Sequence, residues 1–463
     1  MWTDTGEGFR KIWRIGMRDL TKGSINKHIF AFALPVLIGN LLQLTYNLVD
    51  TKIVSMVLGS GPLAAVGSTN SVYSLIIGFL QGLTNGFAII VAQSYGAGDR
   101  KQLKKAVAHS LSLGIGTSLF LTFMVLVFLR PLLIALNTPT AILDEAYSYI
   151  FIVFAGMTVL MLYNVCCAIL RAIGDTITPL VFLGISVMLN VVGDYVSMAV
   201  FGMGVKGAAY ATVVAQLLAM IACFIYMFKK YEILRFSRSD LSLDLALSGK
   251  MMSTGLSMGF MSSLVAIGTV ILQGAINSFG EETIIAHSTA RRLTEMFMMM
   301  FAVLGTTMAT FCGQNLGAKK YGRIKKGIKL SILYGWIWSF TMVLIAYTLA
   351  PFMIKILISS DNKTIIDTAS LYLRIDSTLY WVTAVITITR NSLQGIGDKI
   401  TPLVSSSLEL VGKLLVVIFL VPPLGYMGVI LAEPIVWVVM VIPLIIKLLK
   451  VFKMEESEEA DLL

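Results

Sequence analysis

Twelve apolar stretches recur along the chain, at 28–57, 69–94, 105–130, 145–170, 177–201, 206–229, 252–278, 285–312, 327–352, 365–390, 401–422 and 426–449. Each holds the roughly 20 predominantly apolar residues that a helix needs to cross a bilayer. The pattern predicts an all-α membrane protein of twelve transmembrane helices. Six spans lie on either side of the longest internal polar stretch, Lys229 to Lys250, which predicts a linker between two lobes. The expected organisation is an interfacial segment over 1–27, a first lobe over 28–230, a linker over 231–250, a second lobe over 251–450 and an acidic tail over 451–463. Phe9, Trp13 and Met17 recur at helical spacing in the first segment, as in a helix lying on the membrane surface, and no cleavable signal is expected there. The tail, Glu455 to Asp461, is acidic enough to be expected disordered.

The two halves carry the same two motifs in the same order. Gln93-Ser94-Tyr95-Gly96-Ala97-Gly98-Asp99 returns as Gln314-Asn315-Leu316-Gly317-Ala318-Lys319-Lys320, at an offset of 221 residues (314 − 93). Ile173-Gly174-Asp175-Thr176-Ile177-Thr178-Pro179-Leu180 returns as Ile396-Gly397-Asp398-Lys399-Ile400-Thr401-Pro402-Leu403, at an offset of 223 (396 − 173). Six spans per copy bring both copies into the membrane from the same side, so the repeat is parallel. Internal repeats of this kind point to a transporter. The motifs fall between spans, where glycine permits a tight reversal. Asp175 and Asp398 are expected as helix caps, with Pro179 and Pro402 in the first turns that follow.

Composition sharpens the membrane assignment. Hydrophobic residues make up 57% of the chain and charged residues 13%, with a mean hydropathy of +0.83; soluble domains carry about 25% charged residues. Lys and Arg crowd one side of the membrane: the amino-terminal segment, Arg100–Lys105, Lys229–Lys250, Lys319–Lys326 and Lys447–Lys453. The other side offers Arg130, Lys206, Lys355 and Lys363. By the positive-inside rule both termini are expected in the cytoplasm, in a multi-pass cytoplasmic (plasma) membrane protein. The net charge of +10 reads as this topology signal and does not suggest nucleic acid binding.

Several chemistries are argued against. Cys166, Cys167, Cys223 and Cys312 lie in or at the ends of apolar spans without metal spacing, and read as buried small hydrophobes. No segment suits an ATP-binding domain, and the pairs Gly249-Lys250 and Gly412-Lys413 are followed by Met251 and Leu414 rather than Ser or Thr. No catalytic dyad suggests an intramembrane enzyme, and no cofactor is expected.

Polar groups inside the spans are the functional candidates, because ionisable side chains are costly in a bilayer. On the first span Gln43, Tyr46, Asn47 and Asp50 fall at helical spacing and make one stripe. Asn190 and Asp194 share a face of the fifth span at i, i+4, and Thr212 follows in the sixth. As a site, these acids take a proton or small cation with neutral oxygens from Asn190 and Thr212. As structure alone, Asp50 pairs with Lys52 and Asn190 caps Asp194. The second half carries Arg291, Arg292, Glu295, Arg374, Asp376, Arg390, Glu409, Lys413 and Glu433; Arg291/Glu295 and Glu409/Lys413 read as i, i+4 ion pairs. His287 reads as a packed polar residue. Met296, Met298, Met299 and Met300 cluster in the eighth span, which suits either an adaptable apolar cavity or plain packing.

Leu34-Pro35, Val49-Asp50-Thr51, Gln93-x-x-Gly96-Ala97-Gly98, Gly174-Asp175-x-x-x-x-Pro179, Gly204-x-x-Gly207-Ala208-Ala209 and Gln314-x-x-Gly317-Ala318 together resemble the multidrug and toxic compound extrusion (MATE) family, over essentially the whole chain. The resemblance is strongest to its DinF-like branch. It implies two six-helix lobes related by a pseudo-two-fold axis and export of amphipathic or cationic small molecules in exchange for H+ or Na+, by a monomer in the lipid bilayer. It implies coupling residues at Asp50, Asn190, Asp194 and Thr212, which would also be the ligands were the ion Na+. It places cavity residues at Gln43, Tyr46, Asn47, Tyr149 and Asn164, with Met296 added from the methionine cluster, and a hinge at Pro35. Other branches carry an acid in the seventh span, where this chain offers only Gln273, and Asp376 in the tenth is the weaker second-lobe candidate. The alternative within the superfamily is a lipid-linked oligosaccharide flippase, which Arg291, Arg292, Arg374 and Arg390 keep open. Where the copies disagree is itself informative: at an offset of 221, Asp50 matches Ile271 and Thr212 matches Glu433.

Overall fold

In the computed structural model, residues 18–136, 138–242, 244–358 and 361–460 are described, and all regular structure among them is helical. The expected segment over 1–17 and the last residues of the tail, 461–463, lie outside the described residues. The chain divides into two compact units. Leu34–Gly259, with the residues before Ser24, forms the first; Ser24–Ala33 and Phe260–Leu463 form the second.

The first unit is built from α1 (Ile25–Leu58), α2 (Ser60–Ser68), α3 (Asn70–Gly96), α4 (Arg100–Ala135), α5 (Thr140–Ala155), α6 (Met157–Ala172), α7 (Ile177–Tyr195) and α8 (Val205–Lys230). The second is built from α9 (Leu245–Ile276), α10 (Glu281–Gly317), α11 (Tyr321–Ile358), α12 (Lys363–Ser377), α13 (Tyr380–Gly395), α14 (Ile400–Leu415), α15 (Val421–Leu424) and α16 (Tyr426–Ala460). The unit boundary runs through α1 and α9, whose first turns cluster with the opposite unit.

Twelve spans result, six per half, but not all are single straight helices. Ten are long and apolar enough to cross a membrane among the described residues. The fourth is the pair α5 and α6, bent by 47° at Gly156. A Cβ there would sit 2.6 Å from Val213, so the close approach of α8 requires glycine. The tenth is the pair α12 and α13, whose Asp367, Arg374 and Asp376 hold it below the apolarity of the others. Several helices also overrun their apolar windows: α9 begins at Leu245, and α16 continues to Ala460. The expectation of disorder over Glu455 to Asp461 is corrected as far as Ala460, to which the helix begun at Tyr426 continues.

The duplicated motifs are caps and turns. Asp175 accepts from the backbone N–H of Ile177 (3.2 Å) and Thr178 (3.0 Å) and from Thr178 Oγ1 (2.6 Å), closing the start of α7. Asp398 does the same for Ile400, Thr401 and Thr401 Oγ1 at 3.0, 3.1 and 2.7 Å. Each also faces a lysine at the end of its own sixth span, Lys230 at 3.8 Å and Lys447 at 3.5 Å. In the other motif the chain reverses through a left-handed residue. That is Gly98 (φ +72°) in the first copy and Lys319 (φ +56°) in the second.

Small residues set the closest helix crossing of the first unit. A Cβ on Gly82 would lie 2.5 Å from the Gly259 backbone, and Gly86 stands equally close to Gly255, so α3 and the start of α9 meet backbone to backbone.

Candidate functional site

α1 is the most lightly packed span of the first unit. Between Leu34 and Leu58 only Val54 is buried. Leu34, Ile38, Leu41, Leu48 and Met56 are exposed on a face suited to lipid, while the polar stripe faces inward. That stripe borders a cavity of about 690 Å³. Pro35, Gln43, Tyr46, Asn47, Asp50, Tyr149, Asn164, Asn190 and Thr212 all line it. Asp194 is fully buried one turn further along α7, behind Asn190. Met296 is not brought to this cavity: it stands exposed on α10 in the second unit.

The sequence explains why α7 and α8 converge here. Gly193 leaves room for Ala211, whose Cβ would be 3.0 Å from an added Cβ, and Gly207 makes way for Ser197. Thr212 is thereby delivered to Asn190. The Asn190 amide is oriented by its surroundings. Its nitrogen donates to Tyr46 Oη at 3.0 Å and to Asp194 Oδ2 at 2.9 Å, and its oxygen accepts from Thr212 Oγ1 at 3.1 Å. A π-helical segment, Val196–Val200, follows directly, and such segments often mark functional positions.

Asp50 completes the group. Its carboxyl is close enough to interact with the Asp194 carboxyl, while its Oδ1 is buried with no hydrogen-bond partner. A hydrogen bond between two carboxyls exists only while one of them carries a proton, and two carboxylates that close repel. The expected alternative of Asp50 paired to Lys52 is not among the ion pairs of the described residues. Four oxygen-bearing side chains on three helices, with one unfilled acceptor, can hold a proton or a hard monovalent cation. No group of three or more His, Cys, Asp or Glu assembles a metal site among the described residues.

Other lining residues escaped the sequence reading: Asn40, Asn70, Tyr73, Ser74, Gln81 and Gln216. Asn40 lies one turn before Gln43, so extending the stripe would have reached it. The α3 residues and Gln216 are uncharged and carry no comparable signal.

The second unit gathers its charges differently. Glu409 and Lys413 pair as expected, at 3.0 Å. Arg291 does not bind Glu295; it reaches across to Glu433 on α16 at 2.9 Å, because Glu433 is buried and Glu295 is exposed. Lys413 also meets Glu433 (3.5 Å), and Arg390 meets Glu409 (3.6 Å). Asp376 accepts from Thr294 Oγ1 and Tyr380 Oη, both at 3.1 Å. His287 is packed, 3.2 Å from Tyr426 Oη. Arg291 and Arg390 are thus committed to glutamates, and the cavity of the first unit is lined by one arginine, Arg171.

Twelve spans in two six-helix halves, the first of which holds a polar intramembrane cavity, define a multi-pass membrane transporter. The MatE family model matches residues 35–196 and 257–420, one copy in each half, and the chain belongs to that family. Its members are transporters and not enzymes. A probable multidrug resistance protein YpnP of Bacillus subtilis is 28% identical over 313 residues, covering 66% of this chain and 68% of the relative. A probable multidrug resistance protein YoeA of the same organism is 25% identical, covering 74% and 75%. The crystal structure of a MATE in complex with MaL6 superimposes with a TM-score of 0.86 at 23% identity, covering 94% of this chain and 99% of that one, and shows the same fold.

Proposed function

We propose that the protein is a secondary active antiporter of the cytoplasmic membrane, with both termini inside. In this reading it exports amphipathic or cationic compounds in exchange for H+ or Na+. The observation that carries the reading is the Asp50 carboxyl at the cavity wall, one oxygen of which has no partner, with the Asp194 carboxyl buried beside it. The ion engages Asp50, Asn190, Asp194 and Thr212, and the drug occupies the cavity beside Gln43, Tyr46, Asn47, Tyr149 and Asn164. Asp50 touches both spaces, so ion and cationic drug compete for it. Each ligand then shifts the transport cycle only by its differential affinity for the two states. Pro35, which cannot donate to the hydrogen-bond ladder of lightly packed α1, is in this reading the hinge at which that helix changes shape between states. Multidrug resistance relatives support the substrate class.

Transport by purified protein in proteoliposomes, with a pH or a Na+ gradient imposed separately, tests the reading and identifies the ion. Asp194→Asn is expected to abolish gradient-driven export with unchanged membrane abundance. Full export by that variant overturns the site assignment.

A further inference from the structure

The repeat brings the ion site of the first unit into register with a different set of residues in the second. The offset of 223 residues carries Ser186 to Glu409 and Asn190 to Lys413 (413 − 190), and the offset of 221 carries Thr212 to Glu433 (433 − 212). The registers are anchored in the structure. Asp175 and Asp398 cap the two fifth spans in the same way. Gly204 (φ +59°) and Gly425 (φ +57°) start the two sixth spans in the same left-handed conformation. Equivalent positions also touch: Asn190 meets Thr212 at 3.1 Å, and Lys413 meets Glu433 at 3.5 Å.

In the first unit, that contact joins two neutral oxygen ligands beside paired acids. In the second, an ammonium group sits between two carboxylates. Lys413 Nζ lies 3.0 Å from Glu409 Oε1 and 3.5 Å from Glu433 Oε1, and the residue is 2% exposed. Its stem is accommodated by Gly268 on α9, where a Cβ would stand 2.9 Å from Lys413 Cδ. Arg291 and Arg390 hold the outer sides of the same two glutamates, and Asp376 lies in the field of Glu433 and Arg291. Among the described residues, Lys413 alone bridges both glutamates.

We infer that Lys413 is a tethered cation, filling in the second unit the position at which the first unit binds its exchangeable ion. This rests on the ion-site reading proposed above and extends it to stoichiometry: the second unit carries a permanent positive charge and takes up no coupling ion there. The cluster of Arg291, Lys413 and Arg390 against Glu409, Glu433 and Asp376 balances three bases with three acids. Removing Lys413 leaves one acid in excess, Glu409 Oε1 losing its partner, and opens room for a small cation. A proton, Na+ or a short alkylammonium ion has the chemistry to enter.

The test uses full-length protein in an Asp194→Asn background, which silences the first site. Thermal unfolding is followed in Na+ or ethylammonium chloride against N-methyl-D-glucamine chloride at equal ionic strength. Asp194→Asn alone is expected to show no difference between the salts. Adding Lys413→Ala is expected to lower Tm and to make it rise with ethylammonium or Na+ but not with the bulky cation. A Lys413→Ala protein with unchanged Tm and no salt preference overturns the inference. If Lys413→Ala fails to accumulate, Lys413→Ala with Glu409→Gln restores the balance of acids and bases and is expected to recover accumulation without cation preference; no recovery overturns it equally. Full export by Asp194→Asn in the transport assay would instead refute the underlying ion site, so the two failures are distinguishable.

Discussion

Thr212 shows how a single side chain sorts function from packing. Its hydroxyl meets the Asn190 oxygen at 3.1 Å, and valine would keep the shape while removing the donor and acceptor. One lost hydrogen bond or ion ligand is worth about 1 kcal/mol. Thr212→Val is therefore expected to weaken the apparent affinity for the coupling ion about five- to tenfold, with drug binding retained. Ion titration of transport and of drug binding on the same variant separates the two. At this scale the polar stripe of α1 and the Asn190/Asp194 pair were legible, because 3.6-residue spacing converts sequence into a helix face. The partner of Arg291 was not legible. Spacing proposed Glu295 one turn away, and only the approach of α16 puts Glu433 at 2.9 Å.

Among the elements, the α3–α9 crossing is the most exacting. Gly82 meets the Gly259 backbone, which has no side-chain freedom with which to give way. Gly82→Leu is expected to cost about 3 kcal/mol or to prevent accumulation, since overpacking at a rigid contact cannot relax by rotamer changes. Detergent-solubilised melting curves check it, with Gly116→Leu as the control, because a Cβ there meets nothing within 4 Å. The linker before α9 is held by Asp244. Its carboxylate accepts from Leu247 N–H (3.0 Å) and pairs with Lys105 (3.3 Å), and these contacts hold its pKa below the ordinary value of 3.8. A lowered folded-state pKa stabilises above the unfolded value and is lost as pH falls through the folded one. Docking of the linker onto α4 is thus expected to hold above about pH 4 and to loosen below it. Hydrogen exchange at Leu247 across that window reads the effect, and Asp244→Ala is expected to show the loosened exchange already at neutral pH.

For the whole molecule, the distribution of Lys and Arg makes a claim that single-cysteine labelling tests. Cysteines at Lys104 and Arg238 are expected to react only with reagent on the cytoplasmic side, and cysteines at Lys206 and Lys363 only from outside. The four native thiols are buried, which keeps the background low. Labelling of Lys104 only from outside and of Lys206 only from the cytoplasmic side would reverse the orientation.

The chain by itself determined the number of spans, the duplication and the acids of the first unit, because hydropathy, motif spacing and helical periodicity are one-dimensional properties. It placed the caps at Asp175 and Asp398, since capping is local. Tertiary structure decided everything that depends on which helices approach: the bend at Gly156, the hydrogen bond joining Asn190 to Tyr46, and the contact between Asp50 and Asp194. It also decided that Lys413 sits between two glutamates where the first unit has Asn190 beside Thr212. The physical reason is that burial and charge pairing are properties of surfaces brought together. A repeated sequence specifies the same backbone twice, and the side chains at equivalent positions determine what chemistry each copy presents.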